Sequence, residues 1–178
     1  MLFRSPMLFR ETKNPESFII VPATSSENRL YIPIGFLDKN TIATNAAIII
    51  PSATLYHFGI LTSSVHMAWM RVVAGRLKSD YRYSKDIVYN NFPWCEPTDA
   101  QKATIEKTAQ AILDARALYP DCSLADLYDE TTMPPELRKA HQANDKAVMK
   151  AYGYAPGTTE PEIVADLMNR YLELTANE

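Results

Sequence analysis

The stretch RLKSDYRYSK (Arg76–Lys85) alternates side chains that donate and accept hydrogen bonds. If this stretch is extended, polar side chains at every second position project to one face, because strand side chains alternate with a period of two: Lys78, Asp80, Arg82 and Ser84. A lysine and an aspartate two positions apart suit one G·C pair in the DNA major groove. The ammonium donates to guanine O6 and N7, and the carboxylate accepts from the cytosine amino group. A purely electrostatic patch has no use for Asp80, so its presence favours a base-reading surface.

Neighbouring residues extend this prediction beyond one base pair. Arg82 would reach an adjacent pair, and nearby basic residues would hold backbone phosphates: Arg71, Arg76 and Lys85. The alternative is that Lys78 and Asp80 form a solvated surface pair of little energetic weight. The spacing alone leaves both interpretations open.

A second polar segment, TSSENR, offers further hydrogen-bonding side chains: Ser25, Ser26, Asn28 and Arg29. These residues could support the same surface. The segment could equally be a turn in which serine and asparagine side chains bond to their own backbone.

Charge is divided unevenly along the 178 residues, whose formal net charge is −3. Up to Trp94, ten Lys and Arg stand against six Asp and Glu, a balance of +4. From Cys95 onward, eight stand against fifteen, a balance of −7. The first half therefore suits a polyanionic partner, whereas the second half is mainly solvated.

Residue sets for catalysis are missing from the sequence. The five glycines form no Gly-x-Gly-x-x-Gly array, and the serines lie in no Gly-x-Ser-x-Gly turn. The three histidines lack metal-ligand spacing. The segment NNFPW (Asn90–Trp94) only loosely matches the Asn-Pro-Pro-aromatic loop of adenine methyltransferases, because Asn and Phe occupy its second and third positions. We therefore interpret it as an apolar anchor and expect no catalytic residue, cofactor or metal in this chain.

The sequence also bears on the cellular compartment. No apolar run is long enough to cross a membrane, and the N-terminal MLFRSPMLFRETKNP lacks the apolar core of a signal peptide. Cys95 and Cys122 fit reduced thiols better than a disulfide framework. We therefore expect a cytoplasmic protein without a membrane partner.

The apolar pattern of the first half predicts a mixed or antiparallel β-layer with a central amphipathic helix. β-Branched and aromatic runs predict strands at residues 17–23, 29–37 and 45–52, with extended structure continuing through residues 53–61. A periodicity of three and four from Leu61 to Arg76 predicts the helix.

The second half reads as a helical segment of about three helices, which makes the fold class α+β. Cap signals predict helices at residues 99–118, 134–152 and 161–174, with a shorter turn at residues 123–129. The segment CEPTDA is the candidate boundary. We therefore expect a first domain at residues 1–95 and a helical segment, packed on it, at residues 96–178.

Three segments resemble the C-terminal part of MmeI-like type IIL/IIG restriction–modification enzymes: TSSENRLYIPIGFL, FGILTSSVHMAWMRVVAGRLKSDYRYSKDIVYNNFPW and LADLYDETTMPPELRKAHQANDKAV. The resemblance extends from about residue 10 to residue 152. Members of this family combine a nuclease, an S-adenosylmethionine-dependent adenine-N6 methyltransferase and a target recognition domain in one chain. The three segments resemble the target recognition domain and the helical segment that follows it.

The resemblance implies roles for particular residues. Lys78 and Asp80 would discriminate one base pair, and Arg82 would help at a nearby position. A loop about thirty residues earlier, TATNAA, would contribute Asn45 and Ala46. In the SSENR loop, Asn28 stands where the family has a basic residue.

The resemblance also implies partners. Double-stranded DNA would be bound here, while a longer parent chain would supply the methyltransferase and nuclease domains. S-adenosylmethionine, and Mg²⁺ for cleavage, would bind in those domains, and this piece would fix the register so that the right adenine is flipped. The alternative function is a non-catalytic protein-interaction or scaffold domain of a larger enzyme. Salt separates the two, because phosphate contacts weaken steeply with salt and an apolar protein interface responds less.

Overall fold

A computed structural model describes residues 15–176 of the chain. Predictions about the N-terminal segment therefore lie outside the described residues. The first sheet is antiparallel and places β1 (Ser17–Pro22) between β3 (Gly35–Asp38) and β4 (Ala47–Pro51). Pro22 ends β1, which is where a residue without an N–H is tolerated in a strand.

The second sheet is also antiparallel and has three short strands. Its order is β2 (Thr24–Ser25), β6 (Asp80–Arg82) and β5 (Gly75–Leu77). Only Ala23 separates β1 from β2, so one continuous segment of chain contributes a strand to each sheet.

Two helices connect the sheets, where the sequence predicted one. The prediction of extended structure at residues 53–61 is wrong: this segment contains the helix α1 (Leu55–Leu61). The predicted helix is present as α2 (Ser64–Val73), shorter at both ends. The Ser63 hydroxyl accepts a hydrogen bond from the His66 N–H and caps α2, which separates the two helices. The aromatic and β-branched residues of α1 suggested a strand, but burial against other helices decides the conformation.

The second half is helical, as predicted. It contains α3 (Asp99–Ala117), the one-turn helix α4 (Leu124–Leu127), α5 (Pro135–Tyr152) and α6 (Glu160–Thr175). Thr98 and Gln101 form the predicted capping box at the start of α3. Gly153 ends α5 with a φ of 84°, a left-handed conformation that glycine adopts at low cost. The α+β fold class is confirmed.

The predicted strand at residues 29–37 is wrong for its first six residues. Only Gly35–Asp38 forms a strand, β3. Pro33 has no N–H to donate, and the Ile34 carbonyl accepts a hydrogen bond from the Arg116 guanidinium at 2.8 Å. The side chains of Ile32 and Ile34 are instead buried in the apolar core, although neither residue belongs to a strand.

A single apolar core joins the two halves of the chain. Helix α1 packs against α3, α2 packs against α6, and α3 packs against α5. A Cβ atom placed on Gly59 of α1 would lie 2.6 Å from the Ile105 Cγ2 of α3, so the helices approach closely there. Among residues 15–176, no helix combines the length and apolar character needed to cross a membrane.

Candidate nucleic-acid interface

The stretch with alternating polar residues forms a hairpin of β5 and β6. The strands pair Gly75 with Arg82 and Leu77 with Asp80. Within β6, Asp80 and Arg82 share the outward face, while Tyr81 between them is buried. The predicted alternation therefore holds for this strand.

Lys78 departs from the predicted geometry. It lies in the turn between β5 and β6, not in a strand, and its φ is 57°. The expectation that it shares a strand face with Asp80 and Arg82 is therefore wrong, because the turn interrupts the extended chain. Lys78 instead projects from the exposed tip of the hairpin. Within residues 15–176, Lys78, Asp80 and Arg82 have no ion-pair partner and remain available to a ligand.

Main-chain hydrogen bonds tie the hairpin to the loop that carries Asn45 and Ala46. The Ala23 N–H donates to the Ala46 carbonyl at 2.9 Å, and the Ala23 carbonyl accepts from the Tyr83 N–H at 2.9 Å. Asn45 and Ala46 are exposed in the turn before β4. Ala23 thus fixes the backbone at Ala46 relative to the end of β6, next to Arg82. The structure therefore brings the backbones of the two predicted base-reading segments close together.

The TSSENR segment forms the turn that the sequence left as an alternative. The Ser26 hydroxyl accepts a hydrogen bond from the Asn28 N–H at 3.3 Å, and the Ser26 carbonyl accepts one from the Arg29 N–H at 3.2 Å. Ser25 is buried in β2, opposite Tyr81. Asn28 is exposed, whereas Ser26 and Arg29 are half-buried. Of the four serine, asparagine and arginine side chains predicted here, only Asn28 is thus fully presented to a ligand.

Two of the predicted phosphate-binding arginines are engaged within the protein. Arg71 donates to Glu160 at the start of α6 at 2.8 Å and to the Leu30 carbonyl at 3.2 Å. Arg76 donates to the Ser79 carbonyl at 2.8 Å and lies 3.6 Å from the Glu27 carboxylate.

Ser84 and Lys85 lie just beyond β6. Ser84 is half-buried and precedes a π-helix at Lys85–Tyr89. Lys85 is exposed, and its ammonium lies 3.5 Å from the neighbouring Asp86 carboxylate. Exposed pairs of this kind are weak, so Lys85 can exchange that partner for a phosphate.

Buried aromatic residues fasten the far side of the hairpin to α2. The Tyr83 hydroxyl lies 2.9 Å from His66 Nε2, and burial lowers the pKa of His66 to about 3. Phe92 packs edge-on against His66 with ring centroids 4.6 Å apart, and it also contacts Trp69. Phe92 and Pro93 are buried, so NNFPW is an apolar anchor in the structure.

The helical segment also contacts the start of α2, the helix that leads into the hairpin. The Asp145 carboxylate of α5 accepts hydrogen bonds from the Ser64 N–H at 2.7 Å and from the Tyr31 hydroxyl at 2.7 Å. Ser64 is the first residue of α2, and α2 leads through Ala74 into β5. Burial raises the pKa of Asp145 despite both bonds.

Sequence reasoning missed Ala23, Glu27 and Asp145. Ala23 acts through its main chain, which leaves no mark in the sequence. Asp145 lies 81 positions from Ser64, and only the folded chain brings the two together. Glu27 stands inside the TSSENR segment, where its carboxylate faces Arg76.

Comparisons with known proteins identify the family to which both halves of the chain belong. The family model described as MmeI, target recognition domain, matches residues 1–96. The model described as MmeI, C-terminal domain, matches residues 97–177.

Two relatives extend the comparison to whole proteins. DNA methyltransferase A of Bacillus subtilis (strain 168) is 42% identical over 172 residues, which is 96% of this chain and 20% of that protein. The solved structure of the type IIL restriction–modification enzyme MmeI in complex with DNA superposes with a TM-score of 0.88 at 51% identity. That match covers 92% of this chain and 22% of the other, so the chain spans about a fifth of each relative. The resemblance predicted from the sequence is confirmed, and the chain belongs to the MmeI family, whose target recognition and C-terminal domains it carries.

Proposed function

We propose that this chain recognises a specific sequence in double-stranded DNA on behalf of a restriction–modification DNA methyltransferase. One observation carries the proposal. In a chain that belongs to the MmeI target recognition family, β6 presents Asp80 and Arg82 on an open face, and main-chain bonds through Ala23 hold the loop of Asn45 and Ala46 beside it.

The chemistry of each side chain assigns its role. Lys78 at the hairpin tip donates to guanine O6 or N7, and Asp80 accepts from the amino group of the paired cytosine. Arg82 and Asn45 read neighbouring pairs, where Ala46 offers an apolar contact to a thymine methyl group. Lys85 and Asn28 contact the phosphate backbone.

Supporting residues keep this surface in shape. Ser26 closes the turn after β2 by accepting from the Asn28 and Arg29 N–H groups, while Ser25 lies in β2 opposite Tyr81 and Ser84 follows β6. We further propose that residues 1–95 form the recognition domain and that residues 96–178 form a helical segment that supports it. The hydrogen bonds of Asp145 to the start of α2 favour this division of labour.

A binding selection tests the recognition function directly. The 178-residue chain is incubated at low salt with duplexes that carry a randomised segment, and the bound pool is sequenced. We expect one enriched motif, and a binding constant that falls steeply with salt because counterions are released from the phosphates. Binding without any sequence preference, or no binding at low salt, would refute the proposal, and weak salt dependence would favour the scaffold alternative.

A charge exchange then tests the base-reading residues. The double variant Lys78→Asp plus Asp80→Lys should invert one G·C pair of the motif to C·G and leave the other positions unchanged. A matched control is Lys107→Gln, which changes the charge of α3 away from the hairpin. If the double variant merely weakens binding to every duplex, Lys78 and Asp80 do not read bases.

For the parent protein we propose methyl transfer from S-adenosylmethionine to adenine N6, with Mg²⁺-dependent cleavage by a nuclease domain, in the cytoplasm. Family membership supports this proposal. No group of three histidine, cysteine or acidic side chains among residues 15–176 is suited to a metal ion, and the glycines are isolated from one another. These residues do not fit either ligand, so we assign both to the methyltransferase and nuclease domains.

A chimera tests whether this chain directs methylation to the motif that it binds. This chain replaces the matching region of the Bacillus subtilis DNA methyltransferase A, and the methylated positions in treated DNA are mapped by sequencing. We expect methylation within the motif that the binding selection identified, and methylation at the acceptor's original motif would contradict the recognition role. The adenine N6 assignment is tested on the parent protein itself, by mass spectrometry of nucleosides from DNA that it has treated, where methylcytosine would contradict it.

A further inference from the structure

The side chain of Arg76 contacts three separate parts of the candidate interface. Its guanidinium lies over the Tyr81 ring, with Cζ 3.8 Å from the ring centroid. Its Nη1 donates to the Ser79 carbonyl at 2.8 Å and lies 3.6 Å from the Glu27 Oε2. One residue of β5 therefore joins β6, the hairpin turn and the loop that follows β2.

The turn needs such a contact because Lys78 is in an unfavourable conformation. A lysine with a φ of 57° is uncommon, since its Cβ crowds the following carbonyl in the left-handed region. Such residues persist where the surroundings determine the backbone. Arg76 holds the carbonyl of Ser79, the residue after Lys78, and so constrains the backbone of the turn that carries Lys78.

These contacts also argue against a phosphate as the main ligand of Arg76. One face of the guanidinium is covered by Tyr81, and one donor is used by Ser79. The Glu27 carboxylate beside it repels a phosphate and attracts the arginine instead. The side chain of Arg76 is nevertheless 45% exposed, so substitutions at this position can be tested for their effect on DNA binding.

We propose that Arg76 is a positioning residue for base recognition: with Glu27, it holds the hairpin turn so that Lys78 and Asp80 meet the same base pair. This inference rests on the proposed function of the chain. It assigns Arg76 to sequence discrimination through Lys78, in place of the phosphate contact that its charge suggested.

Salt dependence and base discrimination distinguish these two roles. The 178-residue chain is titrated with its selected duplex and with three duplexes that carry the other base pairs at the position read by Lys78 and Asp80. Each titration is repeated at several salt concentrations. The variants are Arg76→Lys, Arg76→Gln and Glu27→Gln, and Lys85→Gln serves as a control with the signature of a phosphate contact.

The positioning role predicts a loss of discrimination at one base pair. Arg76→Lys keeps the charge but loses the planar group that stacks and donates together, so it should lower the preference for the selected pair about tenfold. The slope of log K against log salt should stay as in the wild type. Glu27→Gln should lower the same preference about threefold, since the exposed pair is worth less than 1 kcal/mol.

A phosphate role predicts the opposite pattern, and it would overturn the inference. Arg76→Gln would then weaken binding to all four duplexes by one factor and reduce the salt slope by about one, as Lys85→Gln should, while Arg76→Lys would resemble the wild type. Unchanged discrimination in all three variants would overturn it as well. Glu27→Gln keeps the test decisive if an Arg76 variant unfolds, because Glu27 is exposed.

The wild-type titration separates this inference from the proposed function. If the wild type shows no preference among the four duplexes, sequence recognition itself is refuted. If the wild type discriminates and the Arg76 variants keep that discrimination, only the positioning role is wrong.

Discussion

The β5–β6 hairpin and the junction of α1, α3 and α5 are held in place by different means. Lys78 and Arg82 on the hairpin are exposed, and backbone pairing and the Arg76 contacts maintain its shape. At the junction, the fully buried Asn144 donates to the Gly59 carbonyl at 2.7 Å and accepts from the Thr108 hydroxyl at 3.0 Å. We therefore expect the exposed Lys78 and Arg82 to tolerate changes of side chain, whereas the junction depends on the size and polarity of each residue.

Under the proposed function, this difference separates the residues that set sequence specificity from those that set the stability of the fold. Residues that meet a ligand project from a backbone whose position the rest of the molecule determines. The junction helps to determine this position, because its helix α5 also holds the start of α2 through Asp145. Under the proposed function, the helical segment would thus contribute to recognition by holding the start of α2.

The same substitution in the two regions should give the most unequal result. Gly59→Ala should destabilise the chain by about 3 kcal/mol, because the new Cβ would lie 2.6 Å from Ile105 and 3.3 Å from the Ala109 Cβ. Gly75→Ala should change stability by less than about 1 kcal/mol, since its nearest atoms, in Arg82, are 3.9 Å and 4.0 Å away. Urea unfolding of both variants measures the difference, and equal midpoints would contradict the comparison.

Removal of the Asp145 carboxylate should have the next largest effect. Asp145→Ala leaves the Ser64 N–H and the Tyr31 hydroxyl without their acceptor, which should cost about 2 kcal/mol. Asp145→Asn should cost about 1 kcal/mol or less, because its amide oxygen can still accept from Ser64. A double-mutant cycle with Tyr31→Phe, followed by denaturant unfolding, measures the interaction free energy between Tyr31 and Asp145. An additive cycle would mean that Tyr31 and Asp145 do not interact.

Mild acid should lower the free energy of unfolding because two buried histidines resist protonation in the folded chain. Burial lowers the pKa of His66 and of His141 to about 3 from an ordinary value of 6.5. The unfolded chain therefore binds protons first as the pH falls, and stability is lost below about pH 6.5. Between pH 7 and pH 6 the two together should cost about 1 kcal/mol.

Unfolding in urea at both pH values measures that loss. His141→Gln should lessen it, because one of the two deeply buried histidines is removed. Burial also raises the pKa of Asp145, which acts in the opposite sense as the pH falls through the range in which this carboxyl titrates. Stability that rises between pH 7 and pH 6 would contradict the assignment of both histidines as neutral.

The smallest effects on stability should come from the hairpin residues themselves. Lys78→Ala and Arg82→Ala should each change the free energy of unfolding by less than about 0.5 kcal/mol, because both side chains are exposed and lack partners within residues 15–176. The same variants should lose base discrimination in the duplex titrations. A large loss of stability in either variant would mean that the hairpin and the junction are not held differently.

Local signals explain most of what the sequence predicted. The helices α3, α5 and α6 were recognisable because their caps and apolar spacing lie within each helix, as with Thr98 and Gln101. The β-rich first half followed from its β-branched runs. Asp80 and Arg82 were identified from a period of two, which β6 obeys over its short length.

Features that depend on contacts between distant residues could not be predicted from the sequence. Helix α1 is made of strand-like residues, and its burial against α3 and α5 decides its conformation. The turn at Lys78 and Ser79 has neither asparagine nor glycine, the usual marks of a residue with positive φ. Arg76 has the charge expected of a phosphate ligand, and only its contacts with Tyr81 and Ser79 suggest another role.

The two hydrogen bonds of Ala23 have a consequence for substitutions in the candidate interface. Both join main-chain atoms, to Ala46 on one side and to Tyr83 on the other. Exchange of the side chains at Asn45, Ala46 or Arg82 therefore leaves these bonds intact. Under the proposed function, a single substitution at one of these residues would therefore alter one recognised position, whereas an insertion or deletion near Ala23 would displace Asn45, Ala46 and Arg82 together.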